Sequence, residues 1–277
     1  MGLREETKKL CDFYNIKPVR TRGQNFLITE AVYDAVLSSA ELTKEDTVLE
    51  VGPGLGFLTE RLAKNCQKVI AVELDDKLAM VLGERLKECK AKNVRIINTN
   101  ILDLIPEIGN WKLEIGNFKI VANLPYNITS IFLRKVYELK NKPEMMVLML
   151  QKEVAERIAA RAGQMSLLAV SVQFYAEAKI IGYVPRHNFW PEPAVDSAII
   201  KLETRSKKPE ADEKKFFQLV RIGFSSKRKM LKNNLASGYQ IGVDRAVEIV
   251  KKAGFSEKIR AQELSIADWL KLFGCLG

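Results

Sequence analysis

The chain has 277 residues, 47% of them hydrophobic, and its 44 Lys and Arg against 34 Asp and Glu give a net charge of +10. This length and composition predict one large globular domain, or a large and a small one, with an ordinary core. The positive charge favours a polyanionic partner, although a merely basic, well-solvated surface would give the same sum. No apolar run approaches the roughly 18–20 residues of a membrane span, so no membrane partner is expected.

Cysteine and histidine usage argues against metal and disulfide chemistry. The four cysteines are scattered without a Cys-x-x-Cys pair, and His187 is the only histidine. We therefore expect no metal site and no disulfide framework, and a reducing, cytoplasmic location fits this usage. The amino terminus has no apolar region and carries Glu5 and Glu6, which argues against a targeting peptide.

The first 20 residues predict a basic, partly helical arm that ends near Pro18. Arg20 and Arg22 follow, and then the polar pair Gln24 and Asn25 precedes a helix predicted over residues 29–40. Apolar residues recur in that helix at helical spacing. In the simplest interpretation, Asn25 caps it.

Three glycines at every second position, Gly52, Gly54 and Gly56, separate an apolar strand from an amphipathic helix that begins at Phe57. This order predicts the first unit of a nucleotide-binding α/β sheet, with free helix N–H groups directed at the turn. The spacing differs from the Gly-x-Gly-x-x-Gly of dinucleotide-binding proteins, so a pyrophosphate ligand is less expected. A glycine-rich turn without any ligand is the alternative.

Glu73 lies at the end of the second predicted strand, residues 68–75, and stands 73 − 52 = 21 residues beyond Gly52. An acidic residue at this place accepts hydrogen bonds from ribose hydroxyls in nucleotide-binding sheets. The glycine turn and Glu73 together therefore predict a ligand that contains adenosine. A third strand, residues 93–98, leads to Asn100, which is placed to face the adenine edge.

The segment Asn123-Leu124-Pro125-Tyr126 follows the fourth predicted strand, at the edge where open α/β sheets bind ligands. An adenine amine is a poor nucleophile because its lone pair is delocalised into the ring. The Asn123 side-chain oxygen and the Leu124 carbonyl can accept its two hydrogens, while Pro125 stiffens the loop. Tyr126 can stack on the base. A plain Asn-Pro turn with a core tyrosine is the alternative.

Two more predicted strands, residues 178–183 and 197–202, enclose a loop rich in proline and aromatic residues. Within this loop, Phe189 is placed to cover the second face of a base held by Tyr126. These strands complete a domain that we place at residues 1–205.

Residues 206–277 predict a small helical domain, with Ser265 as the N-cap of its last helix. A polar and basic stretch there is typical of a surface that contacts a phosphate backbone; its cations are Lys227, Arg228, Lys229 and Lys232. A solvated helix face is the alternative.

Taken in order, these motifs resemble the ribosomal RNA adenine N6-dimethyltransferase family over nearly the whole chain. The motifs that carry the resemblance are Gln24-Asn25-Phe26-Leu27, Glu50-Val51-Gly52-Pro53-Gly54-Leu55-Gly56, Glu73, Asn123-Leu124-Pro125-Tyr126 and Phe189-x-Pro191-x-Pro193-x-Val195-Asp196-Ser197. The resemblance implies an α/β, Rossmann-like, S-adenosylmethionine-dependent methyltransferase with a seven-stranded, mostly parallel sheet and a small C-terminal helical domain. It further implies dimethylation of two adjacent adenosines in the 3′-terminal hairpin of small-subunit ribosomal RNA, by a monomer acting on an assembling subunit.

The resemblance also assigns residues by position. Cofactor contacts are expected from Asn25, Leu27, Gly52, Gly54, Glu73, Asn100 and Asn123, and catalytic roles from Asn123, Leu124, Pro125, Tyr126 and Phe189. RNA contacts are expected from Arg20, Arg22, Lys227, Arg228, Lys229 and Lys232. The family usually has Asp where this chain has Asn100; its side-chain oxygen can still accept a bond from the adenine amine, so we expect binding to survive but weaken.

Three other functions share part of this pattern. The sister branch, which methylates large-subunit ribosomal RNA and confers macrolide resistance, is similar, but residues 195–198 and 228–235 look more like the small-subunit branch. A basic assembly factor without activity would be supported by loss of Asn123 or of the glycines, and all are present. DNA adenine methyltransferases more often carry Asp or Ser in place of Asn123.

Overall fold

The structure is a computed structural model that describes residues 2–19, 23–108, 117–207 and 209–276. Its strands are β1 (Phe26–Leu27), β2 (Thr47–Val51), β3 (Lys68–Glu73), β4 (Val94–Asn98), β5 (Phe118–Asn123), β6 (Met145–Gln151), β7 (Ala176–Val184), β8 (Phe189–Trp190) and β9 (Ser197–Thr204). Its α-helices begin with α1 (Leu3–Phe13), α2 (Glu30–Ala40), α3 (Phe57–Asn65), α4 (Asp76–Glu88), α5 (Ile101–Ile108) and α6 (Thr129–Glu138). They continue with α7 (Lys152–Ile158), α8 (Leu167–Gln173), α9 (Glu213–Gly223), α10 (Leu231–Tyr239), α11 (Val243–Lys252) and α12 (Ile266–Gly274). The predicted RNA contacts Arg20 and Arg22 lie outside the described residues.

Seven strands form one sheet in the order β4-β3-β2-β5-β6-β9-β7. Neighbours from β4 to β6 pair in parallel, and β9 runs antiparallel to β6. Strands β2 and β5 lie in the middle and are almost wholly buried, which explains why their sequences are nearly continuous apolar runs. The predicted seven-stranded, mostly parallel α/β fold is confirmed.

A polar cluster closes the sheet at the start of β5. Lys119 is 7% exposed, and its Nζ donates to the Asp46 carboxylate at 2.9 Å and to the carbonyl oxygens of Glu41 and Ala40 at 2.7 and 3.3 Å. A buried ammonium is tolerated only when its hydrogens all find acceptors. This cluster holds the end of α2 against the sheet, at the side opposite the carboxyl ends of the parallel strands.

Helix α1 is fixed to the rest of its unit by Arg85 in α4. The Arg85 guanidinium bonds the Glu60 carboxylate at 2.6 and 3.0 Å and the Glu6 carboxylate at 3.2 Å, and it lies over the Phe57 ring. One arginine therefore joins α1, α3 and α4, a role that planar guanidinium groups perform well.

The chain divides into two compact units: residues 1–155 with 179–204, and residues 156–178 with 205–277. The second unit thus takes in α8, which precedes the predicted boundary at residue 205. Its core contains the aromatic rings of Phe174, Phe216 and Phe217 and the fully buried Trp269. Ser265 caps α12 by accepting a hydrogen bond from the Asp268 N–H, as the sequence predicts.

Two local features differ from the sequence expectations. Helix α2 has Thr29 at its N-cap, so the interpretation of Asn25 as the cap is wrong. Asn25 instead precedes β1, which pairs with β8 in a separate two-stranded antiparallel sheet, with Leu27 opposite Phe189. Because β1 and β8 are only two residues long and far apart in sequence, no periodicity indicated this pairing.

Candidate active site

A cavity of about 230 Å³ opens beside the carboxyl ends of the central parallel strands. Its lining includes Asn25, Leu27, Gly52, Gly54, Glu73, Asn100, Asn123 and Pro125. All the residues predicted to contact the cofactor therefore meet at one place, although they come from separate parts of the chain. This is where open α/β sheets bind ligands.

The glycine turn brings backbone close to the cavity at Gly52 and Gly54, which have no side chains. Gly54 has a φ of +57°, and a Cβ there would lie 3.2 Å from the Phe26 ring. Gly56 has a φ of +85°, and a Cβ there would lie 2.6 Å from a methyl carbon of Leu82. Any larger residue at these two positions would be strained by the positive φ and would require the Phe26 ring or the Leu82 side chain to shift.

Glu73 is 6% exposed at the end of β3, and its two oxygens bind backbone on both sides. Oε2 accepts a hydrogen bond from the Gly54 N–H at 3.0 Å, and Oε1 accepts one from the Asp75 N–H at 2.9 Å. Burial raises the pKa of this carboxyl, and those N–H donors oppose the rise. Each oxygen keeps a second lone pair, so Glu73 can accept hydroxyl hydrogens while it holds the turn.

Glu50 lies next to this turn in β2 and is 1% exposed. Among the described residues, its Oε2 has no hydrogen-bond partner. Burial raises the pKa of Glu50 to about 8; the Thr59 side chain opposes that rise and the Glu73 carboxylate adds to it. The cavity lining therefore contains a carboxyl that is mostly protonated at neutral pH.

Asn100 lies just before α5, and its side-chain oxygen accepts a hydrogen bond from the Leu102 N–H at 3.0 Å. The oxygen thus accepts a hydrogen bond from the first turn of the helix and has one lone pair left for a ligand. Thr99, which precedes it, and Ile101 also line the cavity.

The segment 123–126 lies at the end of β5. The Asn123 Nδ2 is 3.5 Å from the Asn25 carbonyl oxygen, a long contact, and the Leu124 N–H donates to the Met149 carbonyl at 3.2 Å. Outside the helices and strands, no backbone N–H of the described residues donates to the Leu124 carbonyl oxygen. The Tyr126 hydroxyl bonds Ser197 Oγ at 2.7 Å, which fixes the ring.

Asn123 and Pro125 line the cavity, whereas Leu124 is buried behind it and Tyr126 is half-buried beside it. Phe189 is not part of the lining and is 3% exposed. A stacking role for Phe189 stays a prediction, and it requires local movement that uncovers the ring.

The predicted phosphate contacts lie in the second unit, three on the turn between α9 and α10 and Lys232 at the start of α10. Lys227, Arg228 and Lys229 are exposed there, whereas Lys232 is largely covered and lies 3.8 Å from the Glu257 carboxylate. The buried Asn234 side chain donates to the Gly223 and Ser226 carbonyls at 2.6 and 3.1 Å and so fixes the turn. Lys227, Arg228 and Lys229 therefore lie on a braced turn and not on a helix face, whereas Lys232 belongs to α10.

Several residues line the cavity although the sequence motifs predict no role for them. Gln24 lines the cavity, but its side chain bonds the Asp75 carboxylate at 3.3 Å and the Val19 N–H at 2.8 Å, which fixes the segment before β1. Asp75 caps α4 as well. Glu50 could have been singled out as the one acidic residue inside an otherwise apolar strand.

No group of three or more His, Cys, Asp or Glu side chains suited to a metal ion occurs within the described ranges. In the same part of the chain, no helix is long and apolar enough to cross a bilayer.

The cavity fits S-adenosylmethionine. Glu73 and Asn100 carry oxygen acceptors of the kind that a nucleoside requires, and Gly52 and Gly54 let a ligand approach the backbone. The fold and this cavity define an S-adenosylmethionine-dependent methyltransferase of the α/β class. The family model for ribosomal RNA adenine dimethylases matches residues 17–276. The chain belongs to that family and is a ribosomal RNA adenine dimethyltransferase, which confirms the family, activity and cofactor predicted from the motifs.

Individual relatives agree. A ribosomal RNA small subunit methyltransferase A of Dehalococcoides mccartyi is 42% identical over 278 residues, 98% of this chain and 92% of the relative. A crystal structure of a dimethyladenosine transferase from Plasmodium falciparum has a TM-score of 0.76 and 26% identity, with 89% of this chain and 95% of that one covered. The 23S ribosomal RNA methyltransferase ErmE has a TM-score of 0.74 and 27% identity, with 91% of this chain and 99% of ErmE covered.

Proposed function

We propose that this enzyme dimethylates the N6 amines of two adjacent adenosines in the 3′-terminal hairpin of small-subunit ribosomal RNA. The observation that carries the proposal is the cavity, where Glu73, Asn100 and the glycine turn lie together with Asn123 at the end of β5. The 42% identity to a small-subunit methyltransferase, against 27% to ErmE, supports the small-subunit substrate over the large-subunit one. In this proposal the enzyme acts as a monomer, in the cytoplasm, on an assembling subunit.

The strand order suggests how the cofactor lies. From β4 to β5 the sheet presents Asn100, Glu73, the glycine turn and Asn123 in a row, across three strand spacings or about 14 Å. We assign adenine to Asn100, ribose to Glu73, and the amino-acid end to the part of the cavity near β2. The methyl group then lies beside Asn123.

The chemistry needs placement more than acid–base assistance. When bound, S-adenosylmethionine supplies a methyl group activated by its positively charged sulfur. The Asn123 side-chain oxygen and the Leu124 carbonyl accept the two hydrogens of the target amine and direct its lone pair at the methyl carbon. Tyr126, fixed by Ser197, stacks on the base that has left its helix. Each nitrogen–carbon bond would form as the sulfur–methyl bond breaks, with S-adenosylhomocysteine as the leaving group and one amine proton released to solvent.

RNA outside the cavity is held by charge. Lys227, Arg228 and Lys229 are exposed on a turn that Asn234 braces, so they can bind phosphates without first being ordered. We expect Lys232 to contribute less to RNA binding because it is largely covered and pairs with Glu257. We also propose Arg20 and Arg22 as RNA contacts, because both side chains are positively charged.

The test is tritium transfer from labelled S-adenosylmethionine to unmethylated small subunits, to free small-subunit RNA and to large subunits, followed by nucleoside analysis. We expect dimethyladenosine in the small-subunit RNA, with assembled particles preferred over free RNA. Labelling of large subunits alone would show that the enzyme belongs functionally with ErmE. No labelling of any substrate by a folded enzyme that binds the cofactor would contradict the proposed substrate. Sedimentation of the active enzyme tests the monomer.

A further inference from the structure

Tyr183 is an exposed aromatic residue that has no role in the mechanism above. It lies near the end of β7, the edge strand of the seven-stranded sheet, and is 55% exposed. Among the aromatic residues that the structure describes, only Phe13 is more exposed. A ring of this size gains considerable free energy when a partner covers it.

A lysine side chain lies against this ring. The Lys152 ammonium, at the start of α7, is 5.1 Å from the centroid of the Tyr183 ring, and both side chains are exposed. The two carboxylates of the nearby loop, Glu192 and Asp196, bond instead to the guanidinium and to the backbone N–H of Arg186, at 2.8 and 2.9 Å. A cation beside an exposed ring is the combination on which unpaired bases and their phosphates bind.

Hydrogen bonds connect this pair to the ring that is proposed to hold the target base. The Tyr126 hydroxyl bonds Ser197 Oγ at 2.7 Å, at the start of β9. Asp196, the residue before it, accepts a hydrogen bond on its carbonyl oxygen from the Lys152 N–H at 3.0 Å. Lys152 and Tyr183 therefore adjoin the proposed site of the target base, and all of these residues belong to the same compact unit.

The substrate of an RNA methyltransferase requires a surface of this kind. The target adenosine is part of a polynucleotide, so its neighbours must lie on the protein beside the site. When one base leaves its helix, the adjoining base loses a stacking partner. A ring beside the site can replace that partner, and an adjacent ammonium can bind the phosphate. This step rests on the proposed function.

We propose that Tyr183 and Lys152 form a flanking platform, which binds an unpaired nucleotide next to the target adenosine. The base of that nucleotide stacks on the Tyr183 ring, and its phosphate pairs with the Lys152 ammonium. No covalent bond changes. The flanking platform holds the RNA strand in place while the target base occupies the site beside Tyr126.

Filter binding of the 3′-terminal hairpin RNA and single-turnover methylation of small subunits test the flanking platform in the full-length enzyme. Tyr183→Ala should weaken RNA binding by roughly 5- to 100-fold, the range for the loss of one stacked base. Its affinity for S-adenosylmethionine and its rate with both substrates saturating should not change. Tyr183→Phe keeps the ring and should bind RNA like wild type. Phe13→Ala removes an exposed ring from α1 and is the matched control, which should also bind like wild type.

Hairpins that lack a single base identify the nucleotide on the flanking platform. Each hairpin carries an abasic site at one position beside the target adenosines. We expect one position at which the missing base weakens binding by wild type and Phe13→Ala but has no further effect on Tyr183→Ala, since coupling of this kind is found between groups in contact. Lys152→Ala should reduce the slope of log affinity against log salt by about one unit.

Circular dichroism checks the fold of each variant. Unchanged RNA binding by folded Tyr183→Ala, or additive losses at every flanking position, would overturn the flanking platform and leave the methyltransferase assignment intact. Slower methylation of small subunits without weaker hairpin binding would overturn it too, because the ring would then contact a protein of the particle. A wild-type enzyme that methylates neither small subunits nor their RNA would contradict the proposed function, and the flanking platform with it.

Discussion

Glu73 and Gly54 are joined directly, because the Glu73 Oε2 accepts a hydrogen bond from the Gly54 N–H at 3.0 Å. The sequence motifs predict that each of them contacts the cofactor. The structure adds that the carboxylate also holds the glycine turn in place from the neighbouring strand. Substitution of Glu73 therefore acts on the ligand and on the shape of the cavity together.

Glu73→Ala should weaken S-adenosylhomocysteine binding by about 1.5–3 kcal/mol, the range for hydrogen bonds to a charged group. It also leaves the N–H groups of Gly54 and Asp75 without their acceptor. Glu73→Gln keeps one acceptor oxygen and should lose less. Calorimetry measures both affinities, and an unchanged affinity in Glu73→Ala would remove this residue from the site.

Asn123→Ala should abolish methylation while cofactor affinity stays within several-fold. The side chain is proposed to align the target amine with the methyl group, and misplacement by about an ångström costs on the order of a hundredfold in rate. The loss should appear in single-turnover rates on small subunits with both substrates saturating. Near-normal production of dimethyladenosine by this variant would contradict the mechanism.

Tyr126→Ala should instead weaken RNA binding by about 1–3 kcal/mol through lost stacking. Tyr126→Phe is the matched control, because it loses only the 2.7 Å hydrogen bond to Ser197 and keeps the ring. Binding of small-subunit RNA is measured by filter retention. Equal losses in both variants would mean that the hydroxyl matters and stacking does not.

Replacing Lys227, Arg228 and Lys229 together with Ala should reduce the slope of log affinity against log salt by about two to three units. The control removes the same charge elsewhere in the same unit, by Ala substitution of Arg245, Lys251 and Lys252. That control should change the slope much less. If the two triple variants behave alike, the turn contributes only to overall charge.

Asn100→Asp should tighten S-adenosylhomocysteine binding by about 1 kcal/mol, because a charged acceptor binds the adenine amine more strongly than an amide oxygen. The new carboxylate would also suit the start of α5, where it keeps the bond to the Leu102 N–H. Calorimetry at pH 7 measures the gain. Weaker binding by this variant would show that Asn100 donates to the ligand and does not accept from it.

Glu50→Gln should stabilise the free enzyme at alkaline pH relative to wild type. The folded-state pKa of Glu50 is raised from 4.5 to about 8. Its favourable contribution is therefore fully present below pH 4.5, declines as pH rises, and is lost above pH 8. The unfolding free energy of the variant minus that of wild type should rise by up to about 4 kcal/mol across this window. Urea unfolding at several pH values measures it, and a constant difference would contradict the ionisation.

The order of elements follows from the sequence alone, and so does the set of residues that the structure brings together around the cavity. Strands β2, β3, β5 and β6 are recognisable because buried parallel strands need continuous apolar runs, and helices α2 to α4 because one face must be apolar. Gly54 and Glu73 are recognisable because a turn that approaches a ligand excludes side chains, and a ribose requires an acceptor at the next strand end. Each of these requirements concerns a short stretch of the chain, so it can be recognised in the local sequence.

Contacts between distant segments were decided only by the tertiary structure. The pairing of Leu27 with Phe189, which buries that ring, joins strands of two residues that carry no periodic signal. Lys232 lies 3.8 Å from the carboxylate of Glu257, which is 25 residues away along the chain. The proton on Glu50 depends on burial beneath α3 and beside Glu73, because desolvation is a property of what surrounds a carboxyl in space and not of its neighbours along the chain.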